Sequence, residues 1–334
     1  MYQRNILRLR GVALRLQTPH HHLPHLPLSI QRAYSQFTPS NRLSNRTCMI
    51  TGGTSGIGFA IAERFLQEGA SRVILVGRSY ERLYNAASRL QIDSPGVPST
   101  EPSQPITNPE KHQLLESSPR ISLLIGDIAD AGSWTRELEK AMQTTNPDIL
   151  INAAGLSISS ILPKSEPTDI SRILRTNLEG ALLTSRAFIR ASIRNRMKKS
   201  TTTTTATTTN GTPAASSSKC IINISSLLAH KSGTGAVPYA ASKAGILGLT
   251  RSVAVEAAAS LRDVVVRSNA IVPGYIETPM ISDFSDGETA RLKESIPVRR
   301  FGRPEEVADA AVFLAQNEYA NNCVLNLDGG LSAI

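Results

Sequence analysis

Residues 47–65 read TCMITGGTSGIGFAIAERF. A short apolar run passes straight into a glycine-rich turn, and the turn into a stretch with helical periodicity, so the segment reads as strand, loop and helix in immediate succession. Gly52, Gly56 and Gly58 allow a tight turn and let the main chain approach a pyrophosphate closely. Thr54, Ser55 and Ile57 complete the loop. The loop opens a helix, whose free N-terminal N–H groups favour anions. A βαβ unit that binds a dinucleotide is the expectation.

Working outward, the same alternation recurs. Aliphatic runs appear at RVILVGR, ISLLIGD, DILINAAG, KCIINISS, DVVVRSNAIVPG and NCVLNLDGG, with helical stretches between them, such as 56–68, 170–196, 238–259 and 304–314. Together with the first run these give seven mostly buried strands, and a doubly wound, mostly parallel α/β sheet with helices on both faces as one domain over 47–334. Two segments break the rhythm: 91–119, rich in Pro, Ser and Glu, and 197–218, which contains STTTTTATTTNGTPAASSS. The second has too little apolar surface to pack, and both read as disordered insertions. Each joins a helix to the next strand, so both fall at the edge of the sheet away from a ligand.

The strand RVILVG is followed by Arg78. An acid there would bind ribose hydroxyls and favour NAD, whereas arginine suits the extra phosphate of NADP(H). Asp127 could accept from the adenine amine or serve as a helix N-cap. Asn152, Ala153 and Gly155, in NAAG, would bring main chain to the adenosine side.

The net charge of +9 is concentrated at the N-terminus. Residues 1–46 hold seven arginines, no lysine and no acid, and the first acidic residue is Glu63. The rest of the chain is close to neutral, which gives the folded part no case for nucleic-acid binding. Arginines and aliphatics alternate at helical spacing in MYQRNILRLRGVALRL, the composition of an organelle-targeting peptide, the alternative being a disordered basic tail; RAYSQF resembles a mitochondrial processing site. We expect that leader over 1–34, with RAYSQF cleaved after Tyr34, a linker over 35–46, and a matrix location. No apolar run approaches the roughly 20 residues of a membrane span. Cys48, Cys220 and Cys323 are far apart in apolar runs and read as buried hydrophobes. PHHHLPH (19–25) has no carboxylate near it, and no metal site is expected.

Tyr239 and Lys243 stand four apart in VPYAASKAG (237–245), one helical turn from each other. The pair is either an ordinary helix-face contact or a phenol whose pKa is lowered by the ammonium, fit to act as an acid. Ser226 ends the strand INISS upstream, and Asn177 sits inside a helix, where asparagine is mildly costly.

In order and spacing, TGGTSGIG, Asp127, NAAG, Asn177, Ser226 and Tyr239-x-x-x-Lys243 resemble the short-chain dehydrogenase/reductase family over about Thr47 to Gly330. RFGRPEEVADAAVFLA, LNLDGG and VPGYIETPM are most similar to the 3-oxoacyl-acyl-carrier-protein reductases of type II fatty acid synthesis. The resemblance implies a catalytic set of Ser226, Tyr239, Lys243 and Asn177, with NADPH as reductant. Tyr239 would protonate the substrate oxygen, Lys243 would lower the phenol's pKa and bind the nicotinamide ribose, and Ser226 would steady the carbonyl. Asn177 would hold a relay water. Pro273, Gly274, Ile276 and Thr278 would lie on the nicotinamide side, with 275–297 as a substrate lid. Tetramers, homo- or hetero-oligomeric, and acyl-carrier protein as partner are also implied. That acidic partner would need basic residues such as Arg194, Arg196 and Arg262 near the mouth.

Three positions depart from the pattern: Ser55 where NADPH-preferring relatives often carry arginine, Ser268 in an apolar strand, and Asn322 in place of glycine. Two other readings are a dehydrogenase for a sterol, polyol or quinone-like carbonyl, and a non-catalytic partner subunit of a hetero-oligomer.

Overall fold

A computed structural model describes residues 41–92, 113–202, 218–231, 233–260, 264–282 and 284–334. The expected leader, the middle of each expected insertion, and Arg262 lie outside these residues. In chain order the elements are β1 (Thr47–Thr51), α1 (Gly56–Gln67), β2 (Arg72–Gly77), α2 (Tyr80–Ile92), β3 (Leu114–Ser118), β4 (Ile121–Ile125), α3 (Ser133–Thr145), β5 (Ile149–Asn152), α4 (Pro167–Leu174) and α5 (Gly180–Thr202). They continue with β6 (Lys219–Ile224), α6 (Val237–Ser260), β7 (Val266–Pro273), α7 (Asp286–Ser295), α8 (Pro304–Gln316) and β8 (Val324–Leu327).

The strands form one sheet in the order β3-β4-β2-β1-β5-β6-β7-β8, parallel throughout except for β3 against β4. The order reverses direction at β1, which pairs with β2 on one side and β5 on the other. A crevice therefore opens at the carboxyl ends of these strands. Alternation along β1 separates the two cores: Cys48 and Ile50 pack under α1, α2 and α8, whereas Met49 packs with Trp134, Leu138 and Phe188 of α3 and α5.

Three expectations change. The sheet has eight strands, not seven, because Leu114–Ser118, inside the stretch read as an insertion, pairs Leu114 with Leu124 and Leu115 with Leu123. Leu115 is buried there, and Glu116 puts a charge on this edge strand, where it accepts from Arg72 of β2 at 2.6 Å. The helix expected over 170–196 is two helices joined by a π-helical turn, Arg175–Glu179, and the second runs on to Thr202. Finally, residues 41–46, read as linker, are built into the domain. Leu43 is 1% exposed, its N–H bonds Glu68 O at 2.8 Å, and Arg42 and Arg64 both pair with the buried carboxylate of Glu68.

At the other end of the sheet, the buried guanidinium of Arg267 donates to Leu314 O (2.8 Å), Ala315 O (3.0 Å), Ala320 O (2.9 Å) and the Ser218 hydroxyl (2.6 Å). It thereby satisfies the last carbonyls of α8 with a cation, the sign that the helix C-terminus favours. Asn322 takes φ 56, the left-handed geometry for which asparagine is tolerated in place of glycine. Ser268 is buried with no partner for its hydroxyl among the described residues. Also among these residues, no helix is long and apolar enough to cross a membrane, and no cluster of side chains could hold a metal.

Candidate active site

The glycine loop closes at the carboxyl end of β1. Gly52 has φ 70 and lies so close to the β5 loop that a Cβ would stand 2.7 Å from Ala154 Cα. At Gly58 a Cβ would stand 2.4 Å from Gly52 O, so the start of α1 rests on the loop's own main chain. Ser55, the N-cap of α1, is extended and makes no side-chain bond to the helix, and the first turn carries no acid. The N–H groups of that turn are left for an anion, as a pyrophosphate requires. Thr278 borders the same loop, since a Cβ on Gly56 would meet its methyl at 3.2 Å. Thr54 lies against Gly77 at the end of β2, and Ile57 packs onto the core below.

At the adenosine end, Arg78 Nη1 stands 3.9 Å from Asp127 Oδ2. Asp127 also accepts from Ala129 N–H at 3.0 Å, so the carboxylate orders its own turn as well as facing the arginine. Sequence reasoning missed Arg82. From the first turn of α2 its Nη2 reaches 3.5 Å from Ser55 Oγ, bringing a second guanidinium to the loop position where arginine was lacking. The turn between β2 and α2 makes this meeting, and no spacing in the sequence signals it.

The second half of the site lies where β5 and β6 end. Ser226 is extended at the start of a short 3-10 turn (Leu227–Ala229), and its Oγ accepts from Leu228 N–H at 3.2 Å. The serine hydroxyl is also bonded to the phenol of Tyr239, a contact that favours the phenolate. Burial pushes the phenol's pKa up more than this bond lowers it, opposite to the depression expected from Lys243. The reason is geometric. Lys243 Nζ lies 5.7 Å from the Tyr239 ring centroid and donates instead to Ile224 O at 2.8 Å. Gly155 leaves the space above: a Cβ there would lie 3.4 Å from Lys243 Nζ and 3.5 Å from Asn177 Oδ1.

Lys243 is 5% exposed, and burial brings its pKa down to about 8. A lysine pKa lowered by folding makes the ammonium a burden below that value, relieved as pH rises from about 8 towards the unfolded value near 10.5. At about 1.4 kcal/mol per pKa unit the burden is about 3 kcal/mol at neutral pH. Lys243→Met removes that burden together with the bond to Ile224 O, so its melting temperature relative to the parent is expected to be highest near pH 7 and to fall between pH 8 and 10.5. Thermal melts across that range check it; a variant less stable at pH 7 than at pH 10, relative to the parent, contradicts it.

Asn177 lies in the π turn, 2% exposed. Its amide clamps the Leu156 peptide from both sides, Oδ1 accepting from Leu156 N–H at 2.8 Å and Nδ2 donating to Leu156 O at 2.9 Å. Nδ2 also reaches Ser242 Oγ at 3.0 Å, and that hydroxyl donates to Tyr239 O at 2.7 Å. Asn177 therefore ties the NAAG loop to the tyrosine's helix. Ser225 does similar work, donating to Lys243 O at 2.8 Å. Neither Ser225 nor Ser242 was singled out in the sequence, because small serines beside a motif carry no pattern.

Other expected residues are turned away from the crevice. The Asn152 side chain is absorbed below it, donating to Ser185 Oγ (3.1 Å) and Asn223 Oδ1 (2.8 Å) and accepting from Thr184 at 2.6 Å, so only its main chain could meet a ligand. Ala153 packs onto the core. Pro273 ends β7, Gly274 N–H bonds Leu327 O at 2.9 Å, and the Ile276 side chain is buried, leaving this segment's main chain to line the crevice. Arg194 pairs with Glu139, near the end of α5 that leads into β6, at the amino edge of the strands. Arg196 is two residues further along that helix, and neither lies beside the crevice.

Family models match two stretches: "KR domain" over residues 46–218 and "Enoyl-(Acyl carrier protein) reductase" over 189–332. The chain is 30% identical over 293 residues to the 3-oxoacyl-[acyl-carrier-protein] reductase FabG of Thermotoga maritima, covering 87% of this chain and 99% of the relative. It is 30% identical over 287 residues to the 3-oxoacyl-[acyl-carrier-protein] reductase of Rattus norvegicus, covering 86% and 98%. A solved structure from Beutenbergia cavernae, a candidate NAD(P)-dependent gluconate 5-dehydrogenase with NADP bound at low occupancy, superposes with a TM-score of 0.70 at 27% identity, covering 88% and 100%. Glycine loop, serine, tyrosine and lysine at one strand edge, on this sheet and with these relatives, place the chain in the short-chain dehydrogenase/reductase family of oxidoreductases.

Proposed function

We propose that the protein reduces the 3-oxo group of an acyl thioester carried on acyl-carrier protein, using NADPH, in the mitochondrial matrix. The observation that carries this reading is an apolar rim beside the catalytic set. Ile161 and Leu162 from the loop after β5, Val237 two residues before Tyr239, and Met280 from the lid segment are all exposed. The loop is held at the mouth by Ser160 N–H bonding Gly235 O at 2.9 Å. Such a rim suits an acyl chain, whereas a polyol would call for donors and acceptors. The relatives named as 3-oxoacyl-[acyl-carrier-protein] reductases support the same substrate class. Lys164, Arg172 and Arg175, exposed on the loop and the helix turn beside it, would face an acidic carrier, in place of Arg194 and Arg196.

The crevice fits the dinucleotide, because the glycines leave room that any Cβ would fill and the first turn of α1 offers free N–H groups. The loop and α1 would hold the pyrophosphate, Arg78 and Arg82 the extra ribose phosphate, Asp127 the adenine, and Lys243 the ribose beside Tyr239. Bound NADPH supplies the two reducing electrons. The chain supplies the rest: Ser226 orients the carbonyl oxygen and Tyr239 delivers a proton to it. Lys243, charged below about pH 8, adds positive charge near that oxygen, and Asn177 fixes the Leu156 peptide beside them.

The arginine-rich segment before Asn41 supports the mitochondrial placement. Exposed apolar residues on α5 and α6 (Leu182, Val255) and on α8 and β8 (Phe313, Val324) support assembly into a tetramer. A second reading, oxidoreduction of a polyol or sugar acid, draws on the gluconate dehydrogenase neighbour.

A substrate panel with NADPH and NADH in parallel separates these readings. Acetoacetyl thioesters are expected to turn over fastest, and with NADPH. A preference for gluconate-type substrates would favour the second reading. Arg78→Ala and Arg82→Ala are each expected to weaken NADPH binding about tenfold or more and leave NADH binding nearly unchanged, because each removes a charge-assisted bond to phosphate. Equal loss for both dinucleotides would remove the arginines from that role.

A further inference from the structure

Residues 328–334 fold back from β8 to the catalytic edge. Asp328 accepts from Gly330 N–H (2.9 Å) and Ser332 N–H (3.0 Å), winding Leu331–Ala333 into a single 3-10 turn. On one side this turn lies against the end of the lid segment: Val298 N–H bonds Gly329 O at 3.3 Å, and a Cβ on Gly329 would stand 2.7 Å from Ile296. On the other side Lys231 Nζ donates to Leu331 O at 2.9 Å and to Ile334 O at 2.8 Å.

Lys231 closes the turn that Ser226 begins. Ala229 N–H bonds Ser226 O at 2.9 Å, and His230 and Lys231 N–H bond Leu227 O at 3.0 and 2.9 Å. Underneath, Leu227 and Leu331 are buried with Ile296 and Phe301, and Tyr275, Ile281 and Leu292 pack against them. The serine's turn, the lid and the 328–334 turn thus share one small apolar cluster, and Lys231 is the polar tie across it. An ammonium bonded to two main-chain oxygens is a charge-assisted contact, and it joins segments a hundred residues apart in the chain.

We propose that Lys231 is a positioning residue: by holding the 328–334 turn, it fixes the Ser226 turn so that the serine hydroxyl stays directed at Tyr239. The proposal rests on the reading of Ser226 and Tyr239 as catalytic. Removing the tie leaves the Ser226 turn its own main-chain bonds, the burial of Leu227 and the bond from Leu228 N–H to Ser226 Oγ, but takes away its polar link to the 328–334 turn. A displacement of about 1 Å at a reacting group is enough to cost up to about a hundredfold in rate.

Lys231→Met keeps the length and the apolar stem but loses the donors; Lys231→Arg restores donors. In the full chain, amide exchange at Leu228 is expected to quicken at least tenfold in Lys231→Met and to return towards the parent rate in Lys231→Arg. With an acetoacetyl thioester, kcat is expected to fall about tenfold in Lys231→Met, with dinucleotide Kd unchanged, and Lys231→Met is expected to add little to Ser226→Ala. Unchanged exchange at Leu228, or an equal loss of kcat in the Ser226→Ala background, overturns the proposal while leaving the catalytic reading intact. Full activity in Ser226→Ala itself overturns both.

Discussion

Tyr239→Phe is expected to lower kcat for carbonyl reduction by about a thousandfold, within the roughly 10²–10⁴ that a positioned general acid contributes. The raised pKa of the phenol keeps it protonated at neutral pH, so in the reductive direction it is ready to donate. Phenylalanine fills the same space on α6 and forfeits only the hydroxyl's bond to Ser226, so the fold should tolerate it. The glycine loop and Arg78, which would hold the distal parts of the dinucleotide, lie on other elements, and NADPH affinity should change by no more than a few-fold. Steady-state rates and a fluorescence titration of NADPH measure the two quantities separately. Reduction within about tenfold of the parent would remove the tyrosine as proton donor.

Gly58→Ala is expected to abolish dinucleotide binding to the same degree as it abolishes turnover. The added methyl would sit 2.4 Å from Gly52 O and 3.2 Å from Gly53 Cα, all main chain, so the loop itself would have to move. A loop displaced from the pyrophosphate loses several N–H contacts at once, each charge-assisted bond worth about 1.5–3 kcal/mol, and affinity should fall more than a hundredfold. Gly53→Ala is the informative companion. Its methyl would meet the end of the Leu75 side chain at 2.8 Å, which can shift, so its loss should be much milder. Calorimetric titration with NADPH compares them; equal affinities in the two variants would mean that the loop does not cradle the phosphates.

Much of this was legible before any coordinates. The strand–glycine–helix run, the alternation of apolar runs with helical stretches, and the spacing of Ser226, Tyr239 and Lys243 are local patterns, and local patterns survive folding. What was missed depends on contacts that no pattern encodes. β3 is a short run with one buried leucine inside a proline- and serine-rich stretch, and it becomes a strand only by pairing with β4. Leu43 and Arg42 look like linker until Glu68, buried at the end of α1, is seen to need their company. The direction of the tyrosine's pKa was misread because the four-residue spacing to Lys243 gives proximity along a helix, whereas burial, which the spacing does not report, decides the sign. Arg82 was passed over because its meeting with Ser55 is made by the turn between β2 and α2. Asn177 was noticed for its cost in a helix, but the π turn that lets it clamp Leu156 was not foreseen.

That turn separates two kinds of length in the chain. A π turn amounts to one residue inserted into an α-helix. Deleting a single residue between Arg175 and Glu179 would knit α4 and α5 into one regular rod, with the inward faces of both still in phase with their neighbours. Architecture would survive the shortening, and the amide that grips the Leu156 peptide would be carried out of reach. Here the scaffold and the clamp on Leu156 count residues differently, and the extra one belongs to the clamp.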